Sequence, residues 1–295
     1  MVPRRNRRLQ GRVLVGGLAL VLAVTLGVPA EPAAQGPATD AFLDVPLGGG
    51  PVELGPLPAG LASVDAASCG ECHARHYTEW AGSVHRTATT NAVFQAEYGR
   101  RQRAFCARCH APRPEVAADG IDCATCHVRG GAVLATRVSG EAPHASRVAP
   151  ALAGPGACAR CHEFDFEHQP GERLPRTLGE WGESEASAAG KVCQDCHFTA
   201  AEDDVADGLA ESTAHHRHAA PGSRDAAMRE RALDVRATLA SAGPNARLEL
   251  ALSAADAGHA VPTGDMFRRL EVSAWDAADE ASPVRAWLRR RFRVT

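Results

Sequence analysis

Lysine is all but missing from this 295-residue chain, and large aromatic side chains are scarce. Lys191 is the sole lysine, and aromatic residues make up 5% of the sequence. A chain of this length has too few large side chains to fill a core in the ordinary way, so a bulky non-protein group is expected to supply much of the buried apolar surface. Long hydrophobic runs are lacking too, with one exception, Val13 to Val28. That run falls short of the about 20 apolar residues a spanning helix needs. An excess of basic charge is also absent: 32 Lys and Arg stand against 35 Asp and Glu. Nucleic acid is therefore not an expected partner.

The apolar run sits in an export signal. Arg4, Arg5, Arg7 and Arg8 form a basic n-region, Val13 to Val28 the h-region, and Val28-Pro29-Ala30 a small-residue cleavage site. Residues 1–30 read as a signal peptide, which places the mature chain in the periplasm or on the outer face of the cytoplasmic membrane. The alternative is an uncleaved N-terminus that serves as a membrane tether. Cleavage would remove five arginines and no acids, leaving 27 basic against 35 acidic side chains, a formal charge of −8. Such a surface favours docking on basic patches of other proteins.

What is present is a repeated pentapeptide. The motifs are CGECH (Cys69, Cys72, His73), CARCH (Cys106, Cys109, His110), CATCH (Cys123, Cys126, His127), CARCH (Cys158, Cys161, His162) and CQDCH (Cys193, Cys196, His197). Together they use all 10 cysteines. Structural zinc would need the motifs paired into four-ligand sites and gives no reason for a histidine directly after each pair. Disulfides leave the same histidines unexplained. Covalent haem c accounts for every residue: two thioethers hold the porphyrin edge and the adjacent histidine is the proximal iron ligand. Five covalently bound haem c groups are expected. Haem is attached to an unfolded chain, so the general secretory route is favoured.

The organisation follows from the motifs. Residues 31–67 are rich in Pro, Gly and Ala without periodicity and read as a flexible linker. Residues 68–223 form a pentahaem domain with a short helix at each motif. Only twelve residues separate His110 from Cys123, so the second and third haems are expected to be neighbours. Residues 224–245 read as a helix and connector, with Met228, Leu233, Val235 and Leu239 as its buried positions. Alternation begins at Arg247, and residues 246–295 read as a small β module around "AGHAVPTGD", where Pro262 and Gly264 make a turn. An internal echo links "TEWAGSVH" (78–85) with "GEWGESEA" (179–186). The predicted fold class is mainly α with much irregular loop, a multihaem cytochrome c wrapped round stacked haems and followed by the C-terminal β module.

Two segments carry a family resemblance. "CGECHARHYTEWAGSVH" resembles the opening of the multihaem cytochromes c that include the tetrahaem electron acceptor of hydroxylamine oxidoreductase. "GHAVPTGDMFRRLEV" is similar to the Gly-His-x-x-Pro-Thr-Gly segment that follows the haems in many exported multihaem cytochromes. The resemblance spans roughly residues 68–275 and implies electron transfer rather than a defined substrate. It implies that His85 is a distal iron ligand, by its Ser-x-His position, and that His218 is another, by its His-x-x-Pro-Gly position. From the residues themselves, His259, between strand and tight turn, and His144, in the loop between the third and fourth motifs, complete the distal candidates. The fifth distal ligand is open among His76, His168, His215 and His216, since position 186, which echoes His85, is alanine.

Two functional readings follow. In the first, the protein relays electrons between a quinol-linked membrane donor and a terminal reductase or another cytochrome, with no catalytic residue of its own. In the second, it is a small oxidoreductase acting on a nitrogen or sulfur compound at one open haem. Against specific enzymes of that kind, an ammonia-forming nitrite reductase has a Cys-x-x-Cys-Lys haem, whereas Lys191 precedes its motif, and an octahaem enzyme needs more motifs. The β module reads as a lid that delivers His259, in preference to a docking element whose free edge pairs with a partner.

Overall fold

The computed structural model describes residues 51–166, 169–203, 206, 213–242, 245–264, 267–276 and 279–289. The predicted signal peptide and the first part of the predicted linker lie outside the described residues. Residues 51–65, read as tether from composition, run instead along the motif region. Val52 N–H donates to the Pro112 carbonyl (2.9 Å), Gly130 N–H to that of Leu54 (2.8 Å) and Ala145 N–H to that of Ala59 (2.8 Å), while Pro58 is fully buried. Backbone groups that find partners this way have no reason to stay solvated.

Four of the motifs sit within or end one short helix, while the first bridges two. Cys69 lies in α1 (Ala66–Gly70), and His73 directly precedes α2 (Ala74–Ala81). After α3 (Ala92–Tyr98), the second motif ends α4 (Ala104–His110), and the third is α5 (Cys123–His127). The fourth ends α6 (Gly156–His162); α7 (Thr177–Gly182) and α8 (Glu185–Ala188) lead to the fifth, α9 (Cys193–His197). Helices of this length are not stable alone, so local caps and tertiary contacts must hold them. The Asp122 carboxylate caps α5, accepting from the Thr125 N–H at 2.9 Å and its hydroxyl at 2.7 Å. It also pairs with Arg113, both side chains being buried. Arg113 reaches on to the Val64 carbonyl (3.4 Å), which ties the third motif to the segment entering the first.

Strand content is higher than expected and is not confined to the C-terminus. Chain leaving a motif turns directly into β structure. β1 (Val128–Arg129) follows His127 and joins β2 (Ala132–Ala135) and β3 (Ser146–Val148) in a sheet of order β1-β2-β3. β4 (Glu163–Phe166) follows His162 and pairs with β5 (Gln169–Arg176), and β6 (Ala200–Asp203) pairs with β7 (Thr213–His216). The fold is therefore mixed rather than mainly α. Among the described residues the buried apolar side chains are mostly small, Trp80, Leu134, Phe164, Leu174 and Leu250 being the larger ones.

The predicted helix over 224–240 is corrected. The helix there is only α10 (Ala226–Ala232), and Leu233–Ala242 is a strand, β8, paired antiparallel with β9 (Asn245–Ala254). Leu233, Val235, Ala237 and Leu239 alternate, a period-2 pattern that a single helical window over the stretch hides. Their cross-strand partners are Ala254, Leu252, Leu250 and Leu248, so one face of the hairpin is apolar. The last hairpin, β10 (Arg269–Asp276) with β11 (Asp279–Arg289), is separate from it in sheet order. Among the described residues no helix is long and apolar enough to cross a membrane.

Candidate functional site

Three of the five histidines that end the motifs are oriented from behind. His110 Nδ1 donates to the Ala88 carbonyl at 2.9 Å, His127 Nδ1 to that of Leu134 at 2.8 Å, and His197 Nδ1 to that of Pro221 at 2.7 Å. A hydrogen bond at Nδ1 fixes tautomer and ring plane and leaves Nε2 as the metal-binding nitrogen.

Four motif histidines face a histidine from a distant segment. The ring centroids of His73 and His144 are 6.5 Å apart, His162 and His85 6.5 Å, His127 and His218 5.9 Å, and His197 and His259 6.1 Å. Two imidazoles bonded on opposite sides of one metal at about 2.0 Å each would hold their centroids about 6 Å apart. The chain thus places His85, His144, His218 and His259, each once, at a spacing that fits bis-imidazole iron. Partial burial favours the neutral, metal-binding form: it lowers His85, His127 and His197 and takes His218 to about 3.

His144 is held by its own loop and His218 by a residue of α2. His144 Nδ1 donates to the Ser146 hydroxyl (3.0 Å), which in turn donates to the His144 carbonyl (3.2 Å). The His218 N–H donates to the Glu79 carboxylate at 2.7 Å, while His218 Nδ1 is buried without a hydrogen-bond partner among the described residues. Two glycines back these loops. A Cβ on Gly60, at φ +90°, would lie 3.1 Å from His144 Cα and closer still to the Pro143 carbonyl. A Cβ on Gly120, at φ +65°, would press into the His85 carbonyl and lie 2.9 Å from that of Arg86. Neither glycine stands out in the sequence, because nothing local marks it as touching a loop so far away.

The remaining histidines separate. His76 and His215 pack on each other with centroids 4.5 Å apart, and His76 lies 4.8 Å from His218. Both spacings are short for opposite ligands of one metal, and His76 is depressed to about 4 by burial and neighbouring imidazoles. The exposed His216 donates from Nδ1 to the Phe198 carbonyl. His168 lies outside the described residues. On the His110 ring, Phe94 stacks at 4.3 Å.

Thiol contacts connect the motifs. The Cys69 and Cys123 side chains lie close enough to interact, as do those of Cys109 with Cys161 and Cys158 with Cys193. These join the first motif to the third and the fourth to both the second and the fifth. The short connector between the second and third motifs thus does not decide which thiols meet; the Cys109 partner comes from the fourth.

The internal echo is structural. Trp80 donates from Nε1 to the Ile121 carbonyl (2.8 Å), just before the third motif, and Trp181 does the same to the Lys191 carbonyl (2.9 Å), just before the fifth. Ser83 and Ser184 occupy matching positions, each accepting from an N–H three residues on. At the place of His85 the second copy has Ala186, and a Cβ on Gly258, the neighbour of His259, would lie 3.3 Å from the Ala186 Cβ.

No protein-family model and no curated protein matches the sequence. The fold is that of a multihaem cytochrome. The crystal structure of a penta-heme cytochrome c552 from Thermochromatium tepidum matches with a TM-score of 0.53 and 19% identity, covering 73% of this chain and 72% of that one. The likeness to the hydroxylamine oxidoreductase acceptor rests on the sequence motifs alone.

Proposed function

We propose that this chain is a pentahaem c-type cytochrome that relays electrons, outside the cytoplasm, between a membrane-linked donor and a terminal acceptor. The observation that carries the reading is the set of four imidazole pairs, each joining a motif histidine to a histidine from elsewhere at 5.9–6.5 Å. Shared fold with a penta-heme cytochrome supports it.

Bound haem supplies one-electron iron chemistry. The chain does the rest. Its 10 cysteines anchor the groups through thioethers, and His73, His110, His127, His162 and His197 hold iron from the motif side. His85, His144, His218 and His259 would supply a second imidazole to four of these groups, which would leave those four without an open position for substrate. Contacts between cysteines of different motifs bring the attachment points together, a condition for transfer between groups without an exposed intermediate. The basic, then apolar, N-terminus supports export, and the acidic balance of the remainder supports partners with basic docking patches, a quinol-linked donor on one side and a terminal reductase or another cytochrome on the other.

Production with a cytochrome c maturation system tests the cofactor: intact mass of the secreted chain should rise by five haems. A haem-free product with zinc or disulfides would remove the proposal. Electron paramagnetic resonance of the oxidised protein then separates relay from enzyme. Nearly all iron should be low-spin and unresponsive to cyanide or nitrite. A full haem equivalent of high-spin signal that vanishes with added ligand, together with turnover from a reduced donor, would overturn the relay in favour of a reductase.

A further inference from the structure

The histidine nearest the fifth motif comes from a segment that shares no sheet with the motif region. How its ring is held opposite His197 is therefore a question of anchoring. The turn that carries it is tied to one side chain. The Glu180 carboxylate, on α7, accepts from the Ala260 N–H at 3.2 Å and from the Thr263 hydroxyl at 2.7 Å. Thr263 also meets the Thr177 hydroxyl at 2.9 Å, so two residues of the first turn of α7 grip the turn. The helix itself is fixed from below. Glu163, the residue after His162, is 1% exposed, and its carboxylate accepts from the N–H groups of Leu178 (3.0 Å) and Gly179 (3.1 Å) and from Arg173 (3.1 Å).

An unbroken set of hydrogen bonds thus runs from the fourth motif through α7 to the turn next to His259. By contrast, the bond from His259 Nδ1 goes to its own neighbour, the Ala260 carbonyl, at 3.0 Å. That bond orients the ring relative to the turn but not the turn relative to His197. Gly258 meanwhile sits against Ala186, the position at which the first copy of the echo carries His85.

We infer that Glu180 is a positioning residue for iron ligation at the fifth motif: it clamps the 259–264 turn onto α7, so that His259 supplies the imidazole that the second copy of the repeat lacks at Ala186. The inference rests on the pentahaem reading. It explains the Pro-Thr-Gly segment in part, since Thr263 is the hydroxyl the clamp requires and Gly264, at φ +97°, turns the chain away immediately afterwards.

The test uses the full holoprotein, with haem content fixed by mass and spin state read by electron paramagnetic resonance. His259→Ala should place one haem equivalent in the high-spin state. Glu180→Ala should move the same haem toward high spin and tighten its cyanide binding by about tenfold, the size of effect expected when a ligand loses its outer support. Glu180→Gln keeps an acceptor oxygen for Thr263 and should remain low-spin. If Glu180→Ala stays fully low-spin while His259→Ala does not, Glu180 is only structural and the inference falls. If His259→Ala also stays low-spin with five haems present, the ligand assignment itself fails, and the clamp with it. Should Glu180→Ala not accumulate as holoprotein, Thr263→Val removes the hydroxyl and leaves the carboxylate; a rise in the high-spin fraction supports the clamp and an unchanged spectrum overturns it.

Discussion

His85 follows the first motif closely in sequence, yet its ring lies 6.5 Å from that of His162, at the fourth. Replacing His85 with alanine should therefore perturb the haem attached at Cys158 and Cys161, not the one at Cys69 and Cys72. The check is a high-spin signal in the His85→Ala protein that is not increased further by His162→Ala in the same molecule. Two additive high-spin equivalents would show that the residues serve different irons. Gly120 tests the same ligand from its backbone side. Alanine there must hold a positive φ and displace the His85 carbonyl, which also accepts from Ile121 N–H at 3.0 Å. Gly120→Ala should cost on the order of 1–3 kcal/mol of stability and broaden the low-spin signal of that haem. An unchanged denaturation midpoint would mean that the loop shifts freely. At this scale the motif residues were legible because covalent attachment needs two thiols and an imidazole at fixed local spacing. The pairing of ligands was not, because it is decided by where remote loops cross.

Among the elements, the five-residue helix α5 shows what makes a short motif helix persist. Asp122 caps it and at the same time neutralises Arg113, which is 4% exposed. Asp122→Ala removes the cap and leaves a buried guanidinium short of its main partner, so stability should fall by about 3–5 kcal/mol. Chemical denaturation of the holoprotein, followed at the Soret band, measures this; a loss below about 1 kcal/mol, typical of an exposed pair, would place Arg113 in contact with solvent. Asp122 sits immediately before a motif, so its capping role could be read locally, but the arginine could not. The strand β8 was misread for a different reason. Residues 224–240 hold a short helix followed by alternation, and a window that spans both averages two periods into one. Loss of the helix at Leu233 coincides with the first residue paired across to β9, so tertiary pairing ends the helix rather than any Gly or Pro.

For the molecule as a whole, the scarcity of large side chains meets a cluster of half-buried imidazoles. His76 is held at about 4 and His218 at about 3, chiefly by partial burial, and His85, His127 and His197 are shifted the same way. Their folded-state values lie below the unfolded value of about 6.5. In the unfolded chain these groups take up protons as pH falls through that value, while in the folded chain they stay neutral, whether by burial or by binding iron. The unfolded state therefore binds more protons, and stability must fall as pH drops from about 6.5 toward about 4. Carboxylates paired in the folded state add to the loss only near and below their own range of about 4, so the interval between pH 6.5 and 5 isolates the histidines. Denaturation midpoints of the holoprotein should decline steadily across that interval. His76 offers the control, since it touches the rings of His73 and His218 without being one of the four facing pairs: His76→Gln removes one half-buried imidazole without removing a paired one and should make the decline shallower by one proton's worth. A flat profile between pH 6.5 and 5, or a slope that His76→Gln leaves untouched, would mean that water reaches these rings and that the haem pocket is open where the structure packs it closed.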